Sequence, residues 1–240
     1  MLGKITTNYS PNFSTLRRNP KNIKFIIIHY TGMVSENKAI KRLTSDGTNV
    51  SSHFFIKKNG GIILMVPEKY IAWHSGNSNW KRYKSLNKYS IGIEIQNSGH
   101  NYKYNNFHKK QILSIIKICK YLMSKYKISK FNVLGHSDVA YDRKKDPGEK
   151  FPWKLLAKKK ISIWYDLNKS IINSLRKSKV NPKEKKIFLQ NLNNFGYLKP
   201  KNFLKTKLLI KAFQRRFRPK LVDGKIDKEC LLISKKLSKI

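Results

Sequence analysis

The run Lys24-Phe-Ile-Ile-Ile-His29, followed at once by Thr31-Gly32, does most to limit what this chain can fold into. A short β-branched run that stops at a turn reads as a buried strand, and here it delivers a polar side chain, His29, to the strand's end. Ser90-Ile-Gly-Ile-Glu-Ile-Gln96 alternates strictly, so Ile91, Ile93 and Ile95 share one face while Gly92, Glu94 and Gln96 share the other. Glu94 therefore points away from the apolar layer. Residues 52–57 and 62–66 read as a hairpin across Asn59-Gly60-Gly61, whose glycines supply the positive φ of a tight turn. Ile112, Ile115, Ile116, Cys119, Leu122, Met123 and Tyr126 recur at helical spacing, which predicts an amphipathic helix over 107–126 with Cys119 as inert packing. A short helix is expected over 39–43 and a further strand over 131–134, the latter closed by Gly135 before a polar loop, His136 to Gly148. The expected fold class is α/β: a mixed central β-sheet flanked by helices, ending soon after Phe151-Pro-Trp153.

The charged, turn-prone stretch 177–186, with Asn181-Pro182 inside it, marks a boundary. The expected organisation is a catalytic domain over 1–165, a linker over 166–186 and a small all-α three-helix domain over 187–240. In the last of these, Leu208, Leu209, Ala212, Phe213 and Phe217 form one helical face, and Asp223-Gly224 turns the chain into a final helix. That unit reads as a binding domain.

Composition removes several classes of function. The 240 residues carry 52 Lys+Arg against 13 Asp+Glu, a net +39, which attracts any polyanion. The lysines are spread along the whole chain among abundant Asn and Ile, and no nucleic-acid reading motif accompanies them, so no specific nucleic-acid partner is expected. A 40% hydrophobic content is enough for a core. No apolar run approaches the roughly 18–20 residues of a membrane span. Cys119 and Cys230 imply neither a disulfide framework nor a thiolate zinc site. The first residues lack the apolar centre of a secretory signal, which sets a cytoplasmic expectation, with periplasmic or wall-associated placement as the alternative.

His29, His136 and Asp146 stand at strand ends or in the adjoining loop. Two imidazoles and a carboxylate are a recurrent ligand set for catalytic Zn²⁺, leaving a fourth position for water. The other reading is that these histidines satisfy strand-end hydrogen bonds. Glu94 is the natural general base if the sheet brings it to such a site, and otherwise an ordinary strand carboxylate. Lys144 is either an oxyanion partner or one more surface lysine.

Several blocks together resemble a known family. Ile26-Ile-Ile-His-Tyr-Thr-Gly32, Ser52-His-Phe-Phe-Ile56, Val66-Pro-Glu68 with Ala72-Trp-His-Ser-Gly76, Ser90-Ile-Gly-Ile-Glu-Ile-Gln-Asn97, Gly135-His-Ser-Asp-Val-Ala140 and Arg143-Lys-Lys-Asp-Pro-Gly148 with Phe151-Pro-Trp153 occur in the order of the zinc-dependent N-acetylmuramoyl-L-alanine amidases of type 2. The resemblance spans residues 20–155. It implies that His29, His136 and Asp146 bind Zn²⁺, that Glu94 acts on the attacking water and that Lys144 stabilises the tetrahedral intermediate. The substrate it implies is peptidoglycan or a muropeptide, cut between N-acetylmuramic acid and L-alanine. His53 and His74 match family blocks but not its ligands, and are read as lining the cleft or orienting ligands. Trp73 is either a flat face for a sugar ring or ordinary core, and Asn97 joins these three as a substrate-binding candidate. His100 and His108 are read as surface residues. The sequence departs from the family at Tyr141, where members often carry proline, a change that bears on loop rigidity. Leu189-Gln190, Gly196-Tyr197, Ala212-Phe213-Gln214 and Asp223-Gly224 resemble a three-helix peptidoglycan-binding module, with Cys230 in place of its common threonine. A non-catalytic peptidoglycan recognition protein of the same fold is the alternative, against which the complete set His29, His136, Asp146 and Glu94 argues.

Overall fold

A computed structural model describes residues 5–239 of the chain. Its centre is a six-stranded mixed sheet. The strands are β1 (Ile5–Thr7), β2 (Phe25–Tyr30), β3 (Phe54–Ile56), β4 (Ile62–Leu64), β5 (Ser90–Ile95) and β6 (Val133–Gly135), and they lie in the order β1-β4-β3-β5-β2-β6. Only the β3–β4 hairpin is antiparallel; the other four pairings are parallel. Inner parallel strands are covered on both faces, which is why β2 reads as an uninterrupted apolar run.

Helices α1 (Glu36–Thr44), α2 (Lys109–Tyr126), α3 (His136–Val139), α4 (Trp153–Lys158), α5 (Ile172–Lys177), α6 (Pro182–Phe195), α7 (Phe203–Phe217) and α8 (Lys228–Leu237) complete the framework. Alternate residues of β2 feed two different cores. Ile26 and Ile28 pack with Ile91, Ile93, Ile115 and Cys119 under α2. Phe25 and Ile27 pack instead with Trp80, Leu134 and Phe213, Phe217 and Leu209 of α7. The C-terminal helices therefore share a core with the central sheet. A third cluster, Ala39, Leu43, Phe55 and Met65, lies beneath α1. His29 and Glu94 stand on the face between the α1 cluster and the α7 core.

The strands, the hairpin and the long helix match the periodicity closely, while three local expectations shift. Helix α2 starts at Lys109, where the Gln111 side chain accepts from the His108 amide at 2.9 Å. Residues 130–132 form a 3₁₀ turn, so β6 begins at Val133. The span 166–186, expected as a linker, carries α5 and the start of α6. Asn181-Pro182 there is a helix start: the Asn181 side chain accepts from the Glu184 amide at 2.9 Å, and the Glu184 carboxylate accepts from the Asn181 amide at 3.0 Å. Asn followed by Pro suits a turn and an N-cap with Pro at the first helical position equally well. Arg176 of α5 pairs with the buried Glu229 of α8, which ties this span to the last helix.

Gly196, at the end of α6, marks how closely the two halves approach. Its φ is +143°, its carbonyl accepts from the Lys81 amide at 2.8 Å, and a Cβ there would lie 2.5 Å from the Trp80 ring. Gly196→Ala is expected to cost about 1–3 kcal/mol by overpacking, read as a lowered urea midpoint in a transition that stays single for both halves.

Candidate active site

Parallel pairing of β2 and β5 sets His29 directly opposite Glu94. Parallel pairing of β2 and β6 places Gly135 beside Ile28, and the chain turns immediately into α3 with His136 as its first residue. Asp146 returns to the same spot because its carbonyl accepts from the Ser137 amide at 2.8 Å. Gly135 permits that return, since a Cβ there would strike the Pro147 ring at 2.7 Å.

The result is a buried triad. His29 Nδ1 lies 2.9 Å from His136 Nδ1 and 3.1 Å from Asp146 Oδ2, and His136 Nδ1 lies 3.0 Å from the same oxygen. Proton positions follow from the surroundings. The Ser90 hydroxyl donates to the Leu86 carbonyl at 2.6 Å, so it accepts from His74 Nε2–H at 3.2 Å. His74 Nδ1 is then a lone pair and accepts from His29 Nε2–H at 3.0 Å, which leaves His29 Nδ1 without a proton. On the other ring, His136 Nε2–H donates to the Ser75 carbonyl at 3.2 Å. Burial, followed by the nearby His136, lowers the His29 pKa to about 4, so that ring is neutral at pH 7. Burial tends to raise the Asp146 pKa, but the two imidazoles outweigh it and hold the carboxyl well below its ordinary range.

Two imidazole nitrogens and one carboxylate oxygen thus converge within 3.1 Å of one another. Two nitrogens and one oxygen from three buried residues, open on one side, fit a divalent ion of the catalytic type. The open side gives onto a cavity of about 400 Å³ lined by Tyr30, Trp73, His74, Glu94, Arg143 and Lys144, among others. Burial first, and Asp146 second, raise the Glu94 pKa to about 8, with Lys144 acting against them. Glu94 Oε2 is buried without a hydrogen-bond partner.

The remaining candidates separate. His74 is the residue that orients His29, and it also reaches the cavity wall. Trp73 is half-buried on the same wall, its indole N–H donating to Ser14 Oγ at 3.3 Å. His53, a substrate-binding candidate by sequence, is fully buried away from the cavity. Its Nδ1 accepts from the Gly92 amide at 3.0 Å, and its Nε2 lies 2.8 Å from Arg18 Nη2 and 3.1 Å from the Tyr70 carbonyl, so it braces β5. The Asn97 side chain closes its own loop: its amide donates to the Asn105 carbonyl at 2.9 Å and accepts from Gly99 N–H at 3.0 Å. Sequence reasoning missed Ser75, whose carbonyl fixes the His136 tautomer, and the Ser90 hydroxyl, which sets the direction of the proton chain. A backbone carbonyl carries no residue signature. Ser90 was visible only as a strand end.

A family model described as N-acetylmuramoyl-L-alanine amidase (Amidase_2) matches residues 19–149, and the chain belongs to that family. Among its relatives, N-acetylmuramoyl-L-alanine amidase AmiD of Escherichia coli is 34% identical over 90% of this chain and 82% of its own. The 1,6-anhydro-N-acetylmuramyl-L-alanine amidase AmpD of Haemophilus influenzae is 31% identical over 60% of this chain and 85% of its own. The solved complex of E. coli AmiD with anhydro-N-acetylmuramic acid-L-Ala-D-γ-Glu-L-Lys superposes with a TM-score of 0.80 at 31% identity, covering 94% of this chain and 91% of that one. AMPDH3 of Pseudomonas aeruginosa, in complex with anhydromuramic pentapeptide, gives 0.79 at 29% identity over 95% and 96%.

Two outcomes follow from the proton chain and the acid. A Cβ on Gly92 would lie 2.4 Å from the His74 ring, so Gly92→Ala is expected to displace His74 and weaken divalent-metal affinity about 10–100-fold, read by chelator competition. Because Glu94 holds its proton up to about pH 8 in the fold but loses it near 4.5 when unfolded, its contribution to stability declines as pH rises through that window. In metal-free protein Glu94→Gln should therefore gain roughly 2–4 kcal/mol over wild type between pH 5 and pH 8.5, measured by urea unfolding at both pH values.

Proposed function

We propose that this chain is a zinc-dependent amidase that hydrolyses the bond between the lactyl group of N-acetylmuramic acid and L-alanine in peptidoglycan or (anhydro-)muropeptides. The observation that carries the reading is the convergence of His29 Nδ1, His136 Nδ1 and Asp146 Oδ2 within 3.1 Å of one another, beside an unpartnered Glu94 oxygen on an open cavity. Full-length similarity to AmiD, solved with an anhydro-muropeptide, supports the substrate class.

Zinc held by those three residues would supply a Lewis acid for the amide carbonyl and lower the pKa of water toward roughly 7. The charge of such an ion would favour the ionised form of Glu94, whose Oε2 then takes the proton that water releases as its oxygen bonds to the carbonyl carbon. As the carbon–nitrogen bond breaks, Glu94 passes that proton to the departing amine of L-alanine. A carboxyl whose burial makes it reluctant to ionise is a ready donor for this second step. The Lys144 ammonium lines the cavity and offsets the charge that develops on the carbonyl oxygen. Arg42, Arg143 and Lys145 line the same cavity and favour a stem peptide rich in carboxylates. The C-terminal helices, which resemble a peptidoglycan-binding module, are read as holding polymer near the site.

A non-catalytic recognition protein needs neither an open ligand face nor a general base, and the triad with an unpartnered Glu94 oxygen beside it on the cavity supports the catalytic reading instead. Among the described residues no helix is long and apolar enough to cross a membrane. The test is mass spectrometry after incubation with soluble anhydro-muropeptides and, in parallel, intact sacculi, each with Zn²⁺ and with a chelator. Stem peptide is expected only with metal, and preference between the two substrates separates recycling from wall lysis. Glu94→Gln should bind Zn²⁺ yet lose about 10²–10⁴ in kcat. Intact substrate in every wild-type arm, with protein still pulled down by sacculi, makes the chain a recognition protein instead.

A further inference from the structure

The C-terminal helices do more than share a core with the sheet. The segment 135–149 supplies both His136 and Asp146, and it carries four acidic residues, Asp138, Asp142, Asp146 and Glu149. Asp146 is a member of the triad; each of the other three meets a basic residue of α7. Asp138 Oδ2 accepts from Arg216 Nη1, Asp142 lies 3.0 Å from Lys205 Nζ, and Glu149 lies 4.0 Å from Arg215 Nε.

We propose that α7 is a positioning clamp for the metal-binding segment, with Arg216 as its principal positioning residue, so that the C-terminal helices are part of the catalytic site as well as an appended binding unit. This rests on the metal-site reading of His29, His136 and Asp146. Asp138 is the hinge of the argument. Besides Arg216 it accepts from the Gly135 amide at 2.7 Å and from the Tyr197 hydroxyl at 2.6 Å, and Asp138, Arg216 and Tyr197 are each only 1% exposed. The second arm of Arg216 donates to the Val133 carbonyl at 3.1 Å, and its guanidinium lies 4.5 Å from the centre of the Trp153 ring. One guanidinium thus grips β6 before His136 and the helix turn after it.

Such a grip is needed locally. Helix α3 has four residues, too few to hold its own conformation, and its orientation determines where the His136 ring points. Tyr141 is buried in the core shared with α7, so packing supplies the loop's rigidity. A second arm runs through Arg215. Glu149 lies 3.0 Å from His100 Nε2, and His100 Nδ1 lies 2.7 Å from the hydroxyl of Tyr30, which adjoins His29 and lines the cavity. His100, read from sequence as a surface residue, is half-buried within this relay.

A merely structural ion pair would hold the helices on without affecting the metal. Arg218, also buried, separates the two roles: it pairs with Asp223 and Asp227 inside the C-terminal unit and has no partner in 135–149. The experiment uses the full chain as wild type, Arg216→Met, Arg216→Lys, Tyr197→Phe and Arg218→Met. Zn²⁺ Kd by chelator competition, the visible spectrum of the Co²⁺-loaded protein and thermal melting are measured for each. Expected are a Zn²⁺ Kd about 10–100-fold weaker in Arg216→Met, an altered Co²⁺ spectrum, partial recovery in Arg216→Lys, and an unchanged Kd in Arg218→Met even where its melting temperature falls as far. Equal Kd values in Arg216→Met and Arg218→Met overturn the clamp. Should Arg216→Met fail to fold, Tyr197→Phe decides: a weaker Kd supports the clamp and an unchanged one overturns it. Wild type that binds Zn²⁺ but releases no stem peptide overturns the amidase reading alone, because the affinities still judge the clamp. Wild type that binds no Zn²⁺ overturns both.

Discussion

The parallel register of β2 against β5 is the constraint on which the site depends. It puts His29 opposite Glu94 and, one strand further, Phe55 beside the same glutamate. Parallel strands do not tolerate a one-residue slip here. A shift would exchange Ile28 for His29 on the face toward α2 and bury an imidazole among isoleucines. The apolar residues that make the strands buried therefore also aim the polar ones, and the chemistry at the strand ends is positioned by the hydrophobic effect acting on their neighbours.

Around that row hydrogen bonds set the direction in which the imidazoles face. The chain from His29 through His74 and Ser90 to the Leu86 carbonyl has one direction, because the serine's single hydrogen is already committed. The contact of His136 with the Ser75 carbonyl does the same on the other side. Ser75 is held in turn by Arg143, whose guanidinium donates to the Ser75 and Asn77 carbonyls. The two rings are thereby held in fixed orientations by partners outside the triad. Glu94 stands beside them in an environment that disfavours charge.

Much of this was legible in the chain. Strand and helix periodicities are local, so β2, β5, the β3–β4 hairpin and α2 could be drawn from spacing alone. The triad and Glu94 were legible as residue types at strand ends, and ordered motif blocks gave them roles. His53 and Asn97 sit in the same blocks yet turn inward to backbone partners, because a motif records that a polar residue is present and is silent on which neighbour satisfies it. His100 carried no local signal: its partners Tyr30 and Glu149 lie 70 and 49 residues away.

What the sequence by itself determined was the set of elements, the apolar faces that assemble them and the presence of imidazoles and carboxyls at the strand ends. All of these follow from short-range periodicity and side-chain chemistry. Tertiary structure alone decided the tautomers, the depressed and raised pKa values, and the union of the C-terminal helices with the sheet. The span around Asn181 looks like a linker by charge and turn propensity, yet it begins a helix that packs Phe188 and Leu192 into the core reached by Phe25 and Ile27. Arg216 meets Asp138 across 78 residues of chain. Contacts of that range are made by burial that no local pattern encodes, and a buried arginine in a lysine-rich chain is indistinguishable in sequence from the many that face solvent.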